Sequence, residues 1–218
     1  MGLARYHGDV AKRKRNLLII LGAAVVILLV AVAMIVVPIL THKSGGSSGQ
    51  TAPDDFVTEV TATGDDGRTR TLRATDLAGK PVDMGNLRPG DTLRVEGEGF
   101  DASNGIYVSF CKVPTDPTVK PGPCLGGIPE NAQEEKDERD RADPLESAWI
   151  TNNWAWRSFA SHQYLDVKAG TFRVELVVPP ASSEGVDCSV DACGLFTRAD
   201  HTAPGDRVQD VFLPIRVE

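Results

Sequence analysis

The sequence predicts an all-β sandwich carried behind one N-terminal transmembrane helix. Three observations predict it: the run Leu17 to Leu40 holds 24 positions without a charge, about seven short segments beyond residue 55 are rich in alternating β-branched and aromatic residues, and turn-forming clusters separate those segments.

The apolar run comes first. At 1.5 Å per helical residue it reaches roughly 36 Å, enough to cross a hydrocarbon core about 30 Å thick with some tilt. Arg5 and the run Lys12, Arg13, Lys14, Arg15 precede it, whereas only His42 and Lys43 follow directly. Basic residues stay on the cytoplasmic side, so the expected topology is a single pass with residues 1–16 inside and the remainder outside the cell membrane. Ala31-Val32-Ala33 has the small-x-small form of a signal-peptidase site, but Met34 to Leu40 remain apolar beyond it, and the run reads as an uncleaved anchor. Residues 1–16 are too short to fold alone, and their basic cluster is explained by topology.

Charge narrows the partners. Outside the span stand 29 acidic and 18 basic side chains, a net of −11, which excludes a nucleic-acid partner and leaves basic proteins or cations. Residues 41–54, rich in Gly and Ser with Pro53, read as a flexible linker. Residues 55–218 have the length of one domain able to bury a core.

Within that domain the expected strands are Phe56 to Ala62, Arg68 to Ala74, Thr92 to Gly97, Gly105 to Cys111, Thr171 to Val178, Gly194 to Arg198 and Asp210 to Val217. Asp65-Asp66-Gly67, Arg88-Pro89-Gly90-Asp91, Asp101 to Gly105, Pro179-Pro180 and Pro204-Gly205-Asp206 separate them as short loops do in all-β sandwiches. A long insertion, 114–166, breaks the rhythm with six prolines and the charge run Glu130 to Arg141, which reads as a solvated excursion. Its second half gathers Trp149, Trp154 and Trp156, all the tryptophans of the chain, with Phe159, His162 and Tyr164 following. Large aromatics either pin a loop onto a sheet or form a recognition surface. Trp149, Trp154, Trp156, Phe159 and Tyr164 are the candidate interaction surface.

Four cysteines, Cys111, Cys124, Cys188 and Cys193, all lie beyond the span. An even number in an oxidising compartment reads as two disulfides, most simply the local pairs Cys111–Cys124 and Cys188–Cys193. Zinc is the alternative, without a C-x-x-C to support it. The segment Val186-Asp187-Cys188-Ser189-Val190-Asp191-Ala192-Cys193, the strand Leu87 to Phe100 with its Gly97-x-Gly99 bend, the stretch Gly105 to Cys111 and the Gly-led strand Gly170 to Val178 resemble the neocarzinostatin family. The resemblance implies a seven-stranded immunoglobulin-like sandwich with two short-loop disulfides. The founding members are secreted apoproteins that hold an enediyne chromophore in a cleft. Where they carry ligand-contacting groups after the first and last cysteines, this chain has Val113 and Gly194, and its long aromatic insertion is similar to that of membrane-attached actinobacterial relatives.

Catalytic patterns are missing from the sequence. There is no Gly-x-Ser-x-Gly, no phosphate loop and no marked carboxylate pair, and the exported histidines besides His42 are His162 and His201. The expected function is therefore non-enzymatic: a membrane-anchored extracytoplasmic module that binds protein, an accessory subunit of a membrane or cell-envelope complex, with no cofactor or metal. The alternative is a binder of a small apolar ligand or of haem, using the sandwich cleft or the Trp-rich insertion, with Tyr164, His162 or His201 as haem ligands.

Overall fold

The computed structural model describes residues 3–126, 145–183 and 185–218. The charge run Glu130 to Arg141 lies outside the described residues. The chain divides into two units, Met1–His42 and Lys43–Glu218.

The first unit is one helix, α1 (Leu3–Thr41). It begins well before the apolar run, because the preceding alanines, lysines and arginines are good helix formers. Pro38 sits in its last turn, and the Thr41 hydroxyl donates to the Val37 carbonyl at 2.8 Å. The segment Lys12–Thr41 is long and apolar enough to cross a membrane.

The second unit is built from β1 (Glu59–Thr63), β2 (Thr69–Thr75), β3 (Thr92–Glu98), β4 (Ile106–Lys112), β5 (Ala148–Ile150), β6 (Phe172–Val177), β7 (Ser182–Ser183), β8 (Val186–Asp187), β9 (Cys193–Ala199) and β10 (Phe212–Ile215). Among the described residues they form two antiparallel four-stranded sheets, ordered β1-β2-β3-β6 and β10-β9-β4-β5, and the small hairpin β7-β8. Alternate residues point inward, and Leu72, Val95, Val174 and Leu176 of the first sheet share one buried cluster with Ile106, Val108, Phe110, Leu195 and Leu213 of the second. The first sheet's outer face is polar. Its register sets Glu59, Arg73, Glu96 and Arg173 in one row across four strands, alternating in sign, with Glu59–Arg73 at 3.3 Å and Arg173–Glu96 at 2.7 Å. Opposite charges facing each other across strands stabilise an exposed sheet surface.

Three expectations change. Within the expected flexible linker 41–54, the stretch Gly45 to Gln50 is bonded to the sandwich. The Gly45 amide donates to Asp206 Oδ1 at 3.2 Å, Ser47 N to Asp65 Oδ2 at 2.7 Å, and Asp65 N to the Ser47 carbonyl at 3.0 Å. Gln50 then uses its side-chain amide as a stand-in for a strand, donating to the Phe212 carbonyl at 2.7 Å and accepting from Phe212 N at 2.8 Å, which closes part of the edge that β10 would leave open. The long insertion also contains a strand: β5 pairs with β4, but three residues are too few to show alternation in sequence. Lastly, the expected final strand shrinks to Phe212–Ile215, since Asp210 is tied to Arg207 in the preceding turn.

An ion pair fixes the turn between β1 and β2. Arg70 points inward from β2 with no exposed surface, and its guanidinium donates to both Asp66 oxygens, at 3.0 and 2.5 Å. Gly64 is small for a reason: a Cβ there would lie 2.9 Å from both the guanidinium and the Asp66 carboxylate. The hydrogen bond from Arg70 holds the Asp66 carboxyl below its usual range, with Arg68's amide and charge assisting and burial opposing. A depressed acid contributes stability above its unfolded pKa, and that contribution disappears as pH falls through the folded value. Asp66→Asn, which leaves the guanidinium buried without its counter-charge, is expected to cost about 3 kcal/mol in urea unfolding and to flatten the acid limb of stability against pH. An unchanged acid limb would mean that another carboxylate sets it.

Candidate functional site

Outward-facing positions of the second sheet carry the unusual side chains. Cross-strand register places Trp149 of β5, Tyr107 of β4 and Arg198 of β9 in one row, since Tyr107 is paired with both neighbours. The next rows on this face, Ser109–Phe196–Phe212 and Cys111–Gly194–Pro214, lie closer to β10's far end. They are covered in part by the loop that the Cys111–Cys124 disulfide closes. Leu125 N donates to the Phe110 carbonyl at 2.8 Å, and Arg198 Nη1 donates to the Pro121 carbonyl at 2.8 Å, so the loop lies across β4 and β9. Ser109, Cys111 and Phe196 are buried although they face outward, Cys111 through its disulfide to the loop and Phe196 stacked on Phe212 with ring centroids 4.6 Å apart.

What stays accessible is an aromatic group at the edge of that cover. Trp149 stands 6.0 Å from Tyr107, 6.4 Å from Trp156 and 5.1 Å from His201, measured between ring centroids, and Trp156 meets His201 edge to face at 4.8 Å and 90°. Arg198 lies over the Tyr107 ring at 5.8 Å. Polar contacts orient the rings. The Trp149 indole donates to Asp200 Oδ2 at 2.9 Å, and the Tyr107 hydroxyl is 3.1 Å from His201 Nδ1. Asp200 is fully buried, and its other oxygen accepts from the Thr202 amide at 2.8 Å and the Thr202 hydroxyl at 2.5 Å. The backbone must come close for this: a Cβ on Gly105 would sit 1.9 Å from Asp200 Oδ2.

Burial, then the Asp200 charge, pushes the Tyr107 phenol up, with Arg198 opposing. Burial and the charges of Arg198 and Arg207 push the Lys120 ammonium down. Beneath them Arg207 Nη1 donates to Asp210 Oδ2 at 2.6 Å, and burial still raises the Asp210 carboxyl to about 6 against the pull of that guanidinium. The site is thus a cationic and aromatic surface resting on buried carboxylates.

The five aromatics taken from the insertion separate into three environments. Trp149 and Trp156 are half-buried members of the cluster just described, whereas Trp154 and Phe159 are exposed. Tyr164 is not part of an interaction surface. It is buried, 6.4 Å from Phe172 in the core, its hydroxyl donating to the Asn104 carbonyl at 3.3 Å, and its place as a haem ligand falls with its exposure. The helical turn from Asn153 to Ala160 separates these groups, with Trp156 N and Arg157 N donating to the Asn153 carbonyl. His162 lies on the edge of β5, its Nδ1 3.1 Å from Ser161 Oγ, and burial pushes it below the usual imidazole range. Both expected disulfides are formed and use all four cysteines, which removes the zinc alternative. Tyr107, Arg198 and Asp200 escaped the sequence reading because they lie about 40 to 50 positions from Trp149. The signal that marks them is an aromatic and an arginine at outward positions of two strands otherwise rich in apolar residues.

No family model and no curated protein matches this chain. Among solved structures, that of macromomycin is similar over 67% of this chain and 99% of its own, at 14% identity and a TM-score of 0.35, so the fold rests on the strand pairing given above.

Asp200 is the post on which the cluster leans. Asp200→Ala leaves the Trp149 indole and the Thr202 amide without their acceptor, which is expected to cost about 2–3 kcal/mol and to move tryptophan emission to longer wavelength. Gly105→Ala should give the same emission shift by displacing the carboxylate; an unchanged spectrum in both variants would contradict the positioning role.

Proposed function

We propose that this chain is a non-enzymatic, membrane-anchored interaction module, its N-terminus cytoplasmic and its sandwich extracytoplasmic, that binds a protein of the same membrane or envelope through the aromatic surface of its second sheet. The observation that carries this reading is the composition and order of that surface. Trp149, Trp156, Tyr107 and Arg198 are the residue types that dominate binding energy at protein interfaces, and here they stand partly exposed and already oriented by Asp200 and by one another. Side chains held in place before binding lose less entropy on association.

The anchor and the compartment have separate support. Lys12–Thr41 has the length and composition of a span, the basic residues precede its apolar core, and the two disulfides belong to an oxidising space. An accessory subunit of a larger membrane complex fits a chain with one span and one sandwich.

The test is purification of the full-length protein from its native membranes in mild detergent, with the stoichiometry of accompanying proteins measured by mass spectrometry. A near-stoichiometric protein is expected, and Trp156→Ala should reduce its recovery about tenfold or more while the melting temperature stays close to that of the parent. Equal recovery with the variant, or no accompanying protein, would contradict the reading.

A further inference from the structure

Strand directions gather four connections at one end of the sandwich: residues 64–68 between β1 and β2, 99–105 between β3 and β4, 151–171 between β5 and β6, and 200–211 between β9 and β10. They are bonded to one another. Gly99 N and Phe100 N donate to the Ala169 and Gly170 carbonyls at 2.9 and 3.2 Å, Asp101 N donates to Gln209 Oε1 at 2.6 Å, and Trp149, in β5 just before the third connection, holds Asp200. The chain joins the sandwich at this same end, through Gly45 on Asp206 and Ser47 on Asp65 and Arg207. Four positions separate Gly45 from Thr41, the last residue of α1, a covalent reach of at most about 14 Å.

On the third connection stand large apolar side chains that the sandwich does not cover. Trp154 is 60% exposed, Phe159 72%, Leu165 68% and Val167 54%. Arg157 and Lys168 are exposed beside them, with Asp166 as the acid of that stretch. Of the acids on the neighbouring connections, Asp66 is paired with Arg70, Asp101 lies 3.9 Å from Arg68 and Asp210 is paired with Arg207. An indole, a phenyl ring and aliphatic groups flanked by an arginine and a lysine match the boundary between phospholipid headgroups and acyl chains, where aromatic rings concentrate and basic side chains find phosphate.

We propose that the tip formed by Trp154, Phe159, Leu165 and Val167 docks into the headgroup–acyl boundary of the bilayer that α1 enters. The inference rests on the anchor reading, but not on the aromatic surface proposed for a protein partner. Docking there removes exposed apolar surface from water and seats the sandwich on the membrane by a second attachment.

The full-length protein in vesicles of phosphatidylcholine and phosphatidylglycerol provides the test, because all three tryptophans belong to the sandwich unit and none to α1. Vesicles whose acyl chains are brominated near the headgroups should lower tryptophan emission relative to unbrominated ones, and Trp154→Phe should lose most of that difference. No quenching, or the same quenching in Trp154→Phe, overturns the docking. If alkaline carbonate strips the chain from the vesicles, the anchor reading fails and the docking with it. If the chain stays embedded without quenching while Trp154→Ala/Phe159→Ala loses a protein that copurifies from native membranes, the tip is a protein-binding surface and the lipid docking is wrong.

Discussion

A guanidinium without exposed surface sits at the base of the β1–β2 turn, and much of this end of the sandwich depends on it. Arg70 takes both oxygens of Asp66, which sets the path of residues 64–68 and leaves room only for a glycine at position 64. The same turn carries Asp65, whose carboxylate and amide together clamp Ser47. Val208 fills the space beside Gly45 and Gly64, so the segment that follows the helix is seated on the turn and on the β9–β10 connection at once. A buried cation costs desolvation and is tolerated only where its counter-charge is fixed. Here the fixing of Asp66 also fixes where the chain meets the sandwich.

The aromatic surface arises from the second sheet by a different constraint, the register of antiparallel pairing. Tyr107 faces Trp149 on one side and Arg198 on the other because β4 lies between β5 and β9, and a slip of β4 by one residue would turn Tyr107 inward and out of that row. The disulfide loop meets this face at Cys111 and at Arg198, which donates to the Pro121 carbonyl, while Ser109, Cys111 and Phe196 of the next rows are buried. Asp200 then converts proximity into order by holding the Trp149 indole. Chemistry drawn from three strands and two loops becomes one surface.

Alternation of apolar and polar residues made most strands readable, and the uncharged run marked the helix; both signals are local. The failures were non-local. Gln50 belongs to a Gly/Ser-rich stretch whose composition reads as free chain, yet its amide completes the edge of β10, 162 positions away. β5 was hidden because three residues carry no period, and its pairing with β4 is what gives Ala148–Ile150 its form. The aromatics from Trp149 to Tyr164 looked like one group in sequence, but a helical turn and two pairings send them to a surface cluster, an exposed tip and the core. Adjacent residues share a face only when the backbone between them keeps one period.

Hydrogen exchange on the full-length protein tests the seated linker most directly, read at the amides of Ser47 and Phe212. If Arg70, Asp66 and Asp65 fix the segment as described, with Gln50 closing the edge of β10, both amides exchange slowly, in step with those of β9 and β10. Exchange of Ser47 and Phe212 at the rate of free peptide, with β9 still protected, would show residues 45–50 to be an unattached tether and would contradict the account.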